Sequence, residues 1–214
     1  LTEGAENEIA QKLQGYTGID ANIWKRADLK MESGEFFQEL LRDEEMTVGR
    51  LDSRYKGINL DLMSMNAFTD PQSDAISPAY TMAFLDYFHG ALGVSKELNY
   101  STSAYSKDGF KWDWSHRGNQ YWGTDGAVTT LPDMADALSK DPNMKVLIMN
   151  GYYDLATVFY GVEHSIAHLG IPKSASDRIK MTYYEAGHMM YTDLPSAKLF
   201  REDLKKFIED SLRK

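Results

Sequence analysis

Lys145-Val-Leu-Ile-Met-Asn-Gly-Tyr-Tyr-Asp154 and Tyr183-Tyr-Glu-Ala-Gly-His188 decide how this chain is read. The first contains a continuous apolar run at 146–149, which suits a strand covered on both faces of a parallel sheet. The second closes a strand predicted over 179–184. Each strand ends by delivering one acid–base residue, Asp154 or His188. Between them the pattern predicts a helix of about a dozen residues from Ala156 and a turn at 170–172. After them an amphipathic helix is expected from Pro195, with Ala197, Phe200, Leu204, Phe207 and Ile208 facing inward. Strand, crossover helix, strand and helix make a parallel βαβα unit of right-handed connection.

Working outward, residues 1–60 read as short helices with glycine punctuation. One is expected over 6–13, closed by Gly15. Asp20 caps a second through Ile23, Trp24 and Ala27. Ser33 precedes a third, with Phe36, Phe37, Leu40 and Leu41 on one face. The acidic Asp43-Glu44-Glu45 suits solvent, or a partner such as Arg42, since the C-terminal end of a helix disfavours anions. Residues 61–76 read as a loop. Ser77 then caps a helix with Pro78 at its first position and Gly93 as its stop. Its residues Phe84, Leu85, Phe88 and Leu92 form a stripe for burial. Composition shifts over 99–126 to Gly, Ser, Asp and large rings, among them Trp112, Trp114, Tyr121 and Trp122. These rings anchor an irregular segment or line a pocket. Thr130 caps a helix that carries Met134, Ala137 and Leu138 on one face. The expected organisation is a mainly helical region over 1–126, followed by the βαβα part over 127–214.

Composition removes several function classes. The 214 residues carry 23 Lys+Arg against 32 Asp+Glu, a net charge of −9, with no basic cluster to meet a phosphate backbone. Nucleic acid is therefore not an expected partner. No apolar run approaches the roughly 18 residues that a membrane span requires. With no cysteine, disulfides and thiolate metal sites are excluded. The chain opens on Leu1 without a charged-then-apolar leader, as a trimmed or processed chain would.

In an open α/β sheet, functional side chains collect at the carboxyl ends of the strands. Asp154 and His188 both fall there, on strands that would lie about 5 Å apart. A carboxylate that fixes the tautomer of an imidazole is the acid–base half of a hydrolytic triad. Gly187 permits a tight bend before the histidine. Plainer readings compete: an Asp after a strand is commonly a turn former, and a loop His is commonly a structural donor. The pair Glu163-His164 and His168 has the i, i+4 spacing of metal ligands, but Ser165 stands where a zinc protease helix needs Glu. A solvated helix face is the better account, and no metal or cofactor is expected. His89 is placed to close the C-terminal end of its helix, and His116 has no partner legible in the sequence.

With these residues in hand, a resemblance is apparent. Asn150-Gly-Tyr-Tyr-Asp154-Leu-Ala-Thr-Val-Phe-Tyr-Gly161 resembles the aspartate motif of the serine carboxypeptidase family, with Gly151 and Gly161 flanking the Asp. Ala186-Gly-His188-Met-Met-Tyr-Thr-Asp-Leu-Pro195 is similar to its histidine motif. Thr47-Val-Gly-Arg-Leu-Asp-Ser-Arg54 resembles part of the helical insertion of bacterial members. The chain departs from the pattern at Val158 and at Met190-Tyr191, positions that touch pocket walls.

The resemblance implies an α/β-hydrolase fold, with Asp154 as triad carboxylate and His188 as general base. Met189 would stand near the leaving-group side of the substrate pocket. It also implies a peptide substrate, no cofactor, and a secreted or periplasmic setting. The nucleophile precedes Asp and His in this fold, and 1–153 contain no Gly-x-Ser-x-Gly elbow. The expectation is therefore a C-terminal portion of the enzyme, with serine, oxyanion donors and further strands upstream of Leu1, and inactive as an isolated chain. A two-strand remnant leaves an edge that invites a homo-oligomer or marginal stability. A non-catalytic binding module on this scaffold, an esterase and an acyltransferase are the competing functions.

Overall fold

A computed structural model of the chain describes residues 1–67, 69–98, 100–112 and 129–213. Trp114, His116, Tyr121 and Trp122 lie outside the described residues. The fold is mixed α/β, 51% helical and 9% strand, so helices dominate and the strands place only a few loops. Two compact units arise. One gathers Leu1–Ile76, Asn150–Val158 and Tyr183–Phe200; the other gathers Ser77–Met149, Phe159–Thr182 and Arg201–Lys214.

The first unit begins with three helices: α1 (Glu3–Thr17), α2 (Ala21–Arg26) and α3 (Ser33–Glu39). Thr2 caps α1 by accepting from the Ala5 amide, and Glu3 and Glu6 occupy the first turn, where the helix dipole favours anions. Helix α1 outruns the expected 6–13. It carries Gly15 inside, at a cost of about 1 kcal/mol, and stops at Gly18, whose φ of 80° is the left-handed conformation of a helix C-terminus. Asp20 caps α2 as expected, accepting from the Asn22 amide at 2.8 Å. Ala10, Ile19 and Trp24 form the buried centre, with Leu13, Ile23, Phe36 and Leu40 packed around it. Ser33 starts α3, but Glu32 caps it, in a reciprocal arrangement with Glu35. Arg42 pairs with Glu39 at 2.8 Å, while Asp43, Glu44 and Glu45 are exposed.

A hairpin follows that the sequence reading did not anticipate. Strands β1 (Met46–Val48) and β2 (Lys56–Ile58) pair antiparallel, with Thr47 opposite Gly57. Three-residue strands are too short for alternation to show. Tertiary bonds hold them instead. The buried Gln38 amide donates to Asn59 Oδ1 and to the Asp61 carbonyl, and Thr47 Oγ1 donates to the Phe37 carbonyl.

Helix α4 (Pro71–Asp86) corrects the loop expected over 61–76. The sequence offers a cap followed by proline twice, at Asp70-Pro71 and at Ser77-Pro78. The first is used: Asp70 accepts from the Gln72 and Ser73 amides and also from Leu51 N. Pro78 consequently lies inside the helix and forfeits one backbone bond.

In the second unit, α4 passes into a π-helical turn (Tyr87–Ala91), and Gly93 turns left-handed at φ 64°. His89 Nδ1 donates to the Val94 carbonyl at 2.9 Å, closing the helix end as expected. The expected burial of the Phe84–Leu92 stripe is not met, because Phe84 and Leu92 are 38% and 54% exposed. Phe84 and Phe88 instead stack on each other and lie tilted against Tyr100. Helix α5 (Leu131–Lys140) buries Leu138 completely. Thr129, not Thr130, lends its hydroxyl to the Leu131 amide. Arg178 donates to the carbonyls of Leu138, Asp141 and Met144, which satisfies the end of α5.

The expected parallel pair forms from β3 (Val146–Gly151) and β4 (Ile179–Tyr184). Val146 N donates to Arg178 O at one end, and Tyr152 N to Tyr184 O at the other. Helix α6 (Phe159–Ala167) starts later than Ala156, and a short α7 (Lys173–Ser176) precedes β4. His164 and His168 on α6 stack with ring centroids 4.0 Å apart, and His168 Nδ1 donates to the His164 carbonyl. Helix α8 (Leu194–Leu212) is capped by Asp193, which accepts from Ser196 N. Its Leu204 and Ile208 are 38% and 48% exposed, so the expected inner face is only partly covered.

Candidate active site

Asp154 lies just past β3 and His188 just past β4, and the structure brings the two side chains together within the first unit. His188 Nδ1 stands 3.0 Å from Asp154 Oδ2. The carboxylate is 5% exposed, and a buried carboxylate is costly unless its oxygens are hydrogen-bonded. They are. Oδ1 accepts from the amides of Ala156 and Thr157 at 2.7 and 2.8 Å, and Oδ2 accepts from the Thr157 hydroxyl at 2.6 Å. Those bonds also explain the late start of α6, since the chain at 156–157 wraps the carboxylate first.

Thr157 Oγ1 is 3.2 Å from His188 Nδ1 as well. A proton on Nδ1 therefore faces two acceptors, Asp154 Oδ2 and Thr157 Oγ1. This arrangement favours the tautomer whose Nε2 is a free base. Among the described residues Nε2 has no hydrogen-bond partner, and the imidazole is 41% exposed. A base whose proton-bearing nitrogen is anchored and whose other nitrogen opens outward can take a proton from a hydroxyl and return it. Met189 follows, partly buried, with its carbonyl accepting from Thr192 N and Oγ1.

A third segment holds the two loops. Residues 50–54 pass alongside both: Leu155 N donates to Arg50 O, His188 N to Leu51 O at 2.6 Å, and Ser53 N to Tyr153 O. The loops also bond directly, Tyr153 N to Ala186 O at 3.0 Å. The approach is close enough that two glycines are obligatory. A Cβ on Gly151 would collide with the carbonyls of Ala186 and Gly187, and one on Gly187 would collide with Leu51 O and with Asp52.

Arg54 completes the strap. Its Nε and Nη2 clasp the Asp52 carboxylate at 3.0 and 2.7 Å, and Nη1 donates to the Glu185 carbonyl at 2.8 Å. Asp52 is 2% exposed, and it holds the guanidinium above even its ordinary high pKa. Arg54 lies over the Tyr153 ring, 4.7 Å from its centroid. The Tyr153 hydroxyl donates to Glu185 Oε2 at 2.6 Å, and this bond to a carboxylate raises the phenol's pKa.

Sequence reasoning found Asp154 and His188 but missed Thr157, Asp52, Arg54, Tyr153 and Glu185. Segment 47–54 stood out only for its resemblance to an insertion. The available physical signal was Arg50-x-Asp52-x-Arg54, alternating charges in a chain otherwise short of basic clusters. Among the described residues no group of three or more His, Asp or Glu is placed to hold a metal ion. No helix there is long and apolar enough to cross a membrane. Compared with known proteins, the chain matches no family model, no curated protein and no solved structure.

Proposed function

We propose that Asp154 and His188 are the acid–base pair of a Ser-Asp-His triad in a serine carboxypeptidase-like hydrolase. In this reading residues 1–214 are a C-terminal portion of an α/β-hydrolase that releases C-terminal residues from peptides. The observation that carries it is the 3.0 Å bond from His188 Nδ1 to a buried, hydrogen-bonded carboxylate, on an imidazole that is 41% exposed. Nε2 takes the proton of a serine hydroxyl as its oxygen attacks the scissile carbonyl carbon. The resulting imidazolium, stabilised by Asp154, gives that proton to the departing amine. Water then repeats the sequence on the acyl-enzyme. Met189 borders the leaving group. Among the described residues the hydroxyl that reaches the imidazole, that of Thr157, sits at Nδ1 and serves Asp154, so this reading takes the nucleophilic serine from an upstream part of the polypeptide.

Hydrolysis of a peptide with a free C-terminus tests this reading. The purified chain alone should give no turnover. Addition of a polypeptide bearing the nucleophilic serine should restore it, and His188→Ala should abolish it again. Clear turnover by the isolated chain, or restored turnover indifferent to His188, would overturn the proposal.

A further inference from the structure

We infer that the ion pair between buried Asp52 and Arg54 is a positioning device for His188, fixing the orientation and tautomer of its imidazole through the strap at 50–54. The inference rests on the reading of Asp154 and His188 as an acid–base pair. Neither strap side chain hydrogen-bonds the imidazole, so the action passes through the backbone. Arg54 supplies it by binding both ends of one short path. Its Nε and Nη2 hold Asp52, and its Nη1 holds the carbonyl of Glu185, at the start of the turn that ends in His188.

The far end of that turn is tied by His188 N to Leu51 O, next to Asp52. The histidine turn is therefore gripped before and after Gly187, and Gly187 itself lies flat against Leu51 and Asp52. The same strap grips the aspartate loop at Tyr153 O and Leu155 N. One ion pair thus sets the spacing of two loops that are remote in sequence. Asp52 needs Arg54, because a carboxylate so deeply buried is stable only when paired and hydrogen-bonded. An ammonium cannot substitute: a planar fork reaches the carboxylate with two nitrogens and the carbonyl with a third. Glu185 and Asp193 are the other acidic residues near the guanidinium; Glu185 accepts from it through its backbone carbonyl, and neither side-chain carboxylate takes a hydrogen bond from it.

The imidazole nitrogen shifts of the ¹⁵N-labelled 214-residue chain test this directly. They are read at a pH where histidine is neutral and report which nitrogen bears the proton. The parent should be mainly in the Nδ1–H form. Arg54→Ala should lower the ratio of Nδ1–H to Nε2–H about tenfold, a 1.4 kcal/mol loss of orientation, with unchanged far-UV circular dichroism. Arg54→Lys should fall with it. If Arg54→Ala does not fold, the neutral pair Asp52→Asn with Arg54→Gln removes the clasp at similar volume and should show the same fall. A parent-like ratio in any of these folded variants overturns the inference. Asp154→Asn separates the two readings: a tautomer indifferent to it breaks the acid–base pair itself, whereas failure of the serine-bearing polypeptide to restore hydrolysis, with the strap effect intact, breaks only the proposed function.

Discussion

The rim that carries Asp154 and His188 and the aromatic stretch from Phe84 to Trp112 are built on opposite plans. At the rim, three segments remote in sequence are joined by backbone bonds, a clasped carboxylate and glycines packed without room for a methyl group. Along the aromatic stretch, rings meet near neighbours at varied angles: Phe84 stacks on Phe88 and tilts against Tyr100, Tyr105 meets Phe110 edge-on, and Phe110 lies near Trp112. Yet Tyr105 and Trp112 are 69% and 57% exposed. Ring contacts are tolerant of angle and distance, whereas a buried carboxylate demands donors at defined positions. Polar demand, more than hydrophobic content, determines where this chain is geometrically exact.

The largest effect that sharpens this contrast is expected at Gly187. Gly187→Ala forces a Cβ into Leu51 O and Asp52 and should destabilise the chain by about 3 kcal/mol, measured by urea denaturation. A loss below about 1 kcal/mol would mean the rim yields as easily as a surface loop. Next comes Thr157→Val, which takes one donor from Asp154 Oδ2 while keeping the shape of the side chain. It should cost about 1.5 kcal/mol and raise the Nε2–H share of His188.

On the other side of the comparison, Phe88→Ala should cost only about 1 kcal/mol, the worth of its ring contacts. A fully buried Phe would lose about 3–5 kcal/mol. A loss in that higher range would show that the aromatic stretch is a true core in solution.

The smallest effect concerns acid. The amide and hydroxyl of Ser196 hold the Asp193 carboxyl below the ordinary carboxylate range. The folded chain therefore takes up this proton less readily than the unfolded chain. The stability it contributes is present above about pH 4 and is lost as pH falls through the lower folded value. Asp193→Asn should flatten the fall in melting temperature below about pH 4 by a few degrees or less, equivalent to under 1 kcal/mol. An unchanged acid slope would remove Asp193 from the account.

What could be read in advance follows from the range of each interaction. Strand β4 was legible from end to end, and β3 and α8 nearly so, because a buried strand and a long amphipathic helix write their periods into consecutive residues. Asp20 as a cap was legible because capping acts over three residues. The start of α4 was not: two equivalent cap-and-proline signals compete locally, and the bond from Leu51 N to Asp70 favours the first. The β1–β2 hairpin was illegible because its partners, Gln38, Asn59 and Phe37, lie outside the window of each three-residue strand.

Composition and local pattern by themselves determined that this is an acidic, cysteine-free α/β chain whose two late strands each end in an acid–base residue. They could do so because period, charge and strand-end position are properties of neighbouring residues. Tertiary structure alone decided that Asp154 meets His188 at 3.0 Å, that Thr157 joins them, and that residues 50–54 strap both loops in place. Those contacts bridge residues far apart in the chain, and no local preference encodes which distant carbonyl a given amide will find.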